Sequence, residues 1–116
     1  MAWFRRPNRF TVDTGLTEIG PLLDGYVSGS LTLLRMGQLV QLSARGLVLS
    51  KVGLLYDLPD GYRPPSQLIW NQREDFTANG PRIFIEAYGR MNFVSTPVNT
   101  PIYSMFLFLT RQQPPT

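Results

Sequence analysis

The sequence predicts an all-β fold: an antiparallel β-sandwich, jelly-roll-like, preceded by an extended N-terminal arm. Three observations carry this. Ten glycines and ten prolines are scattered through 116 residues, a spacing that works against helices of any length. From Tyr26 onward the apolar residues come as short runs or alternations bounded by turn residues. Those runs recur at roughly 8–12 residue intervals, as in sandwiches and barrels. A chain of this length makes one domain and buries roughly two-thirds of its unfolded surface. We divide it into an arm, residues 1–25, and a β-sandwich domain, residues 26–116.

The elements follow in order. Residues 26–36 read as a strand that turns at Gly37 into a second, 38–43; residues 44–46 turn into 47–52, and Gly53 gives way to 54–57. A proline-rich loop, 58–65, precedes a strand at 66–71. The polar stretch 72–81 holds the turn signal Asn79-Gly80. Strands at 82–88 and 90–96 flank Gly89, and the loop 97–101 leads to the last strand, 102–110.

The two most informative strands differ in character. Residues 82–88 place Ile83 and Ile85 on one side, and Phe84 and Glu86 on the other. Residues 103–109 are apolar on both sides for most of their length. Such a strand needs cover twice, either as a central strand within one molecule or from a neighbouring copy outside. Tyr103, Met105, Phe106 and Phe108 are the candidate subunit-interface residues on the second reading. A faint duplication also shows, with Leu33 to Ser43 lining up with Ile85 to Ser95 around Gly37 and Gly89. Two such hairpins would each feed one half of the sandwich.

Composition removes most chemistry. There is no Cys and no His, which excludes thiol nucleophiles, disulfides and the usual zinc or iron–sulfur ligands, and no cofactor is expected. The carboxylate pairs Glu74-Asp75 and Asp57/Asp60 read as loop and turn residues rather than as an acid–base couple. No glycine pattern cradles a phosphate, and no serine sits in a nucleophile elbow. The expectation is a protein that is not an enzyme, without catalytic or metal-binding residues. Trp70, Tyr62, Tyr88 and Tyr103 beside Asn71, Gln72, Asn79 and Asn99 offer flat rings and amides, the materials of a saccharide groove. Trp70, Asn71 and Tyr88 are the saccharide-contact candidates, against a plainer reading as core and loop.

The arm is the most distinctive segment. The net charge of +3 resides in Arg5, Arg6 and Arg9, because the remainder holds eight cationic and eight acidic residues. Trp3, Phe4 and Phe10 lie among these arginines without periodicity. Trp, Phe and Arg anchor protein interfaces, so Trp3, Phe4, Arg5, Arg6, Arg9 and Phe10 are expected to dock on a partner protein. Nucleic-acid binding is disfavoured, since the basic charge is not spread over a face. No apolar run reaches membrane-spanning length, and no signal peptide follows the basic start, so assembly in the cytoplasm is expected.

The loop Leu58-Pro59-Asp60-Gly61-Tyr62-Arg63-Pro64-Pro65 resembles one in the C-terminal β domains of bacteriophage tail fibres, minor tail proteins and receptor-binding proteins. Its flanks, Gly37 to Leu42 and Ile83 to Phe93, resemble the hairpins that surround the loop there. The motif residues are Leu58, Pro59, Gly61, Tyr62, Arg63 and Pro64, and the resemblance spans about residues 26–110. It implies a jelly-roll-like sandwich, a homotrimer, and a virion protein. Partners would be other tail or capsid proteins, with a host surface glycan as a further possibility. In such a module Tyr62 packs over the end of the sandwich and Arg63 ties the loop to a carboxylate. Those domains end long fibres, whereas here the domain starts about twenty-five residues after Met1. That favours a minor tail or tail-tip component held by its arm, with capsid decoration or a head fibre, or a carbohydrate-binding host-recognition module, as the alternatives.

Overall fold

The short apolar alternations become two antiparallel sheets of four strands each in a computed structural model, which describes residues 13–71, 82–94 and 98–113. The strands are β1 (Thr17–Glu18), β2 (Tyr26–Met36), β3 (Leu39–Leu49), β4 (Gly53–Asp57), β5 (Leu68–Asn71), β6 (Arg82–Ile85), β7 (Arg90–Val94) and β8 (Ile102–Leu109). Sheet A runs β1-β2-β3-β8 and sheet B runs β4-β7-β6-β5. β3 pairs with β8 and β4 with β7, so a two-stranded ribbon folds across both sheets, as in a jelly roll. β5, β6 and β7 form a meander, and β4 returns beside β7 to make a Greek key. The proline-rich loop is its long connection.

The core lies between the sheets. Sheet A contributes Leu31, Leu33, Val40, Leu42, Leu47 and Leu49; sheet B contributes Leu55, Trp70, Ile83, Ile85, Met91 and Phe93. Each fully buried aliphatic side chain contributes about 1.5–3 kcal/mol relative to exposure. The predicted pleat of the sixth strand holds, with Ile83 and Ile85 buried and Phe84 on the other face.

Three boundaries differ from the sequence reading. The expected turn at 44–46 is a β-bulge within one continuous strand, β3, where the register with β8 shifts between Arg45 and Leu47. Gly46 has φ +62° there, and on β2 the facing Gly29 has φ +87°. A Cβ on Gly29 would stand 2.0 Å from the Gly46 carbonyl oxygen, so the two backbones approach in a way that only glycine permits.

The arm also ends earlier than residue 25. Thr17 and Glu18 pair with Leu33 and Thr32, and Ile19 and Leu23 are buried in the core around the short 3-10 turn Gly20–Leu22. Glu18 fastens this segment: its carboxylate accepts from the amides of Gly20 (2.9 Å) and Leu31 (2.8 Å) and from the Ser30 hydroxyl. Finally, the β6–β7 turn takes up residues 86–88 that the sequence placed in a strand.

The apparent duplication is a shared pattern rather than a repeat. Both hairpins exist, β2–β3 in sheet A and β6–β7 in sheet B. Past the glycine their faces fall out of step. The alignment sets buried Val40 against half-buried Asn92, and half-buried Gln41 against buried Phe93.

Candidate docking surface

β8 is an edge strand of sheet A, so the central-strand explanation of its doubly apolar sequence does not apply. Its inward side chains meet sheet B. Trp70 stacks on Phe106 with ring centroids 5.7 Å apart, and the indole N–H donates to the Ser104 hydroxyl at 2.8 Å. Phe106 in turn packs against Phe108, which is buried. Two of the four interface candidates, Phe106 and Phe108, are therefore corrected to core positions. The period of two turns them inward.

The other two candidates face outward with two residues the sequence reading missed. Tyr103 is 74% exposed, Met105 59%, Leu107 50% and Leu109 63%. Cross-strand pairing extends this surface over sheet A. Leu109 lies opposite Leu39, which lies opposite Met36; Leu107 lies opposite Gln41, which lies opposite Leu34. The outer face is thus most apolar at the Met36–Leu39–Leu109 end and more polar toward Ser43 and Arg45. We estimate the exposed apolar side-chain area of Met36 and the four β8 residues at about 500 Å², the upper range for the largest patch on a monomer. A spacing of two residues from Tyr103 is the signal that would have found Leu107 and Leu109.

The proline-rich loop is held from the opposite side, by the segment after β8. Leu58, Gly61, Tyr62 and Pro64 are buried, while Pro59 is exposed. The Gln112 side-chain oxygen accepts from the amides of Gly61 (2.8 Å) and Arg63 (2.9 Å), and Thr110 donates to the Arg63 carbonyl at 2.6 Å. Arg63 donates to the Leu58 carbonyl and pairs with Asp60 of the same loop at 2.9 Å. Tyr62 is buried and joins the core cluster.

Beneath the loop lies a residue that sequence reasoning passed over. Arg35 is fully buried on β2, and its guanidinium donates to the carbonyls of Gly37 (2.8 Å), Gly61 (2.6 Å), Gln112 (2.9 Å) and Gln113 (3.1 Å). An always-charged, planar group with several donors suits such a convergence of carbonyl dipoles. The motif residues thus make a joint between sheet B, β2 and the C-terminal segment. They do not form an open site.

The saccharide candidates do not come together. Trp70 is 1% exposed, with its N–H committed to Ser104, so its face is closed to a sugar. Tyr88 is 54% exposed in the β6–β7 turn, with the Arg90 guanidinium 5.2 Å from its ring centre. The side chain of Asn71, together with Gln72, Glu74, Asp75 and Asn79, lies outside the described residues. Near Arg90, a shallow depression of about 340 Å³ is lined by Leu54, Leu55, Tyr56 and Asp57. Burial, reinforced by nearby Tyr62, raises the Tyr56 hydroxyl above its ordinary pKa. Asn99 serves the chain itself, taking a left-handed φ of 55° and donating its amide to Leu49.

Among the described residues no cluster of acidic side chains could hold a metal ion, and no helix is long and apolar enough to cross a membrane. The docking candidates Trp3, Phe4, Arg5, Arg6, Arg9 and Phe10 lie outside the described residues. What the fold and its surface define is a class: a two-sheet β-sandwich with an exposed apolar strand, β8, on the outer face of sheet A. No family model matches the chain, and no curated protein and no solved structure matches it significantly.

Proposed function

We propose that this chain is a non-enzymatic structural protein of a bacteriophage particle, a minor tail or tail-tip component. It docks onto other virion proteins, associates as a homotrimer, and assembles in the host cytoplasm. The observation that carries this reading is the apolar outer face of sheet A on β8. An edge strand of eight residues without a charge or a proline, exposing Tyr103, Met105, Leu107 and Leu109, lacks the usual devices that keep sheets from associating. Covering it with protein removes that apolar area from water, and three copies held together multiply weak contacts into useful avidity. The loop resemblance supports the phage assignment.

The test is the mass of the full chain in solution, by sedimentation or native mass spectrometry. The expected value is three times the 13.2 kDa chain. Leu107→Lys, on the outward face, should return it toward single chains. A stable 13.2 kDa species at micromolar concentration overturns the reading.

A further inference from the structure

The outer face of sheet A needs a partner, and the chain itself carries a segment of matching chemistry that starts beside it. Asp13 bridges to Met36 and the Thr14 amide donates to the Arg35 carbonyl, so the chain before β1 runs antiparallel to β2 along its free edge. Asp13 stands beside the end of β2, at the Met36 corner. That corner is the apolar end of the outer face, where Met36, Leu39 and Leu109 lie in one cross-strand row. Residues 1–12 supply Trp3, Phe4 and Phe10, three large rings, with arginines whose stems lie well on apolar surface.

We propose that residues 1–12 of one copy lie across the outer face of sheet A of the next copy, with Phe10 near Leu39 and Leu109 and with Trp3 and Phe4 toward Leu107 and Met105. This rests on the self-association proposed above and names the segment that makes it. Reach is ample: twelve extended residues span about 40 Å, whereas crossing from β2 to the far side of β8 takes about 14 Å. Direction favours the neighbour. At Asp13 the backbone, traced toward the N-terminus, points along the strand axis past Met36 and off the end of the sheet, so a neighbouring copy lies ahead of it. The resulting contact is head-to-tail, and three such contacts close a ring, which fits a trimer.

Because the sequence has no cysteine, engineered ones pair only with each other. Phe10→Cys combined with Leu109→Cys, oxidised mildly at the concentration where the chain self-associates, should give chains covalently joined to one another on a non-reducing denaturing gel. A link confined within single chains means that the arm covers its own sheet, and overturns the proposal. No link overturns it as well. A second variant, Trp3→Ala with Phe10→Ala, alters only the arm. It should weaken self-association at least tenfold while leaving the unfolding midpoint of the dilute single chain unchanged. Self-association that persists undiminished in this variant and is broken by Leu107→Lys sinks the arm and leaves the assembly standing. An unmodified chain that weighs as a single copy sinks both.

Discussion

Arg35 shows how one side chain can hold a small sandwich closed. It sits on β2 yet reaches the β2–β3 turn, the Greek-key loop and the segment after β8, giving each a donor for a carbonyl that would otherwise be buried. Burying a carbonyl without a partner costs about 1–3 kcal/mol. Arg35→Met removes all of these donors while keeping the apolar stem. We expect it to lower stability by at least about 3 kcal/mol, seen as a fall in the urea midpoint with the slope unchanged. Arg35→Lys keeps the charge but offers one compact ammonium in place of a fork, so it should recover only part of the loss. Nothing in the sequence marked Arg35 as different from the exposed Arg45 ten residues on. Its acceptors are backbone atoms brought together from distant parts of the chain, and backbone atoms leave no motif.

At the scale of single elements, β1 is the weakest and the most sensitive to acid. It has two residues, both exposed, and depends on Glu18. Burial alone would raise the Glu18 carboxyl, but hydrogen bonds from Ser30, Leu31 and Gly20 outweigh it and lower the pKa below the ordinary glutamate value. A lowered pKa in the folded state means that the stabilisation is complete above the unfolded value, about 4.3, and is lost as the pH falls through the folded one. Amide exchange at Gly20 and Leu31, taken relative to the unstructured rate at the same pH, should therefore accelerate below about pH 4.3. In Glu18→Gln it should be faster at neutral pH and lack that acid step.

β1 was also the element least legible in the sequence, because two residues give no alternation and its pairing is fixed by a carboxylate twelve or thirteen positions from its partners. The longer strands were legible through period two, as in Ile83 and Ile85. Gly46 misled because a left-handed glycine inside a strand and one in a turn look alike in sequence; only the β8 register separates them. The β8 surface was half legible. Its double apolarity was plain, but the bulky Phe106 and Phe108 drew the interface toward the face that the pleat turns inward.

The whole molecule depends on contacts that are long in sequence. Sheet A is complete only when β8 pairs with β3, and the Greek-key loop is fastened by Gln112 and Thr110 from the far end of the chain as well as by Arg35. A chain ended after Thr110 keeps every strand but loses the Gln112 acceptor and two of the carbonyls around Arg35. We expect it to fold, with exchange at the Gly61 and Arg63 amides at least tenfold faster and a lower thermal midpoint. If those amides keep full protection, the loop is stabilised by its own prolines and the tail is incidental. Arg35 and Gln113 stand 78 positions apart. On the ribosome, then, the first hairpin waits unfinished until the tail has been made. A stalled synthesis that stops before Ile102 yields a polypeptide that lacks both the last carbonyls around its central arginine and the exposed apolar residues of β8.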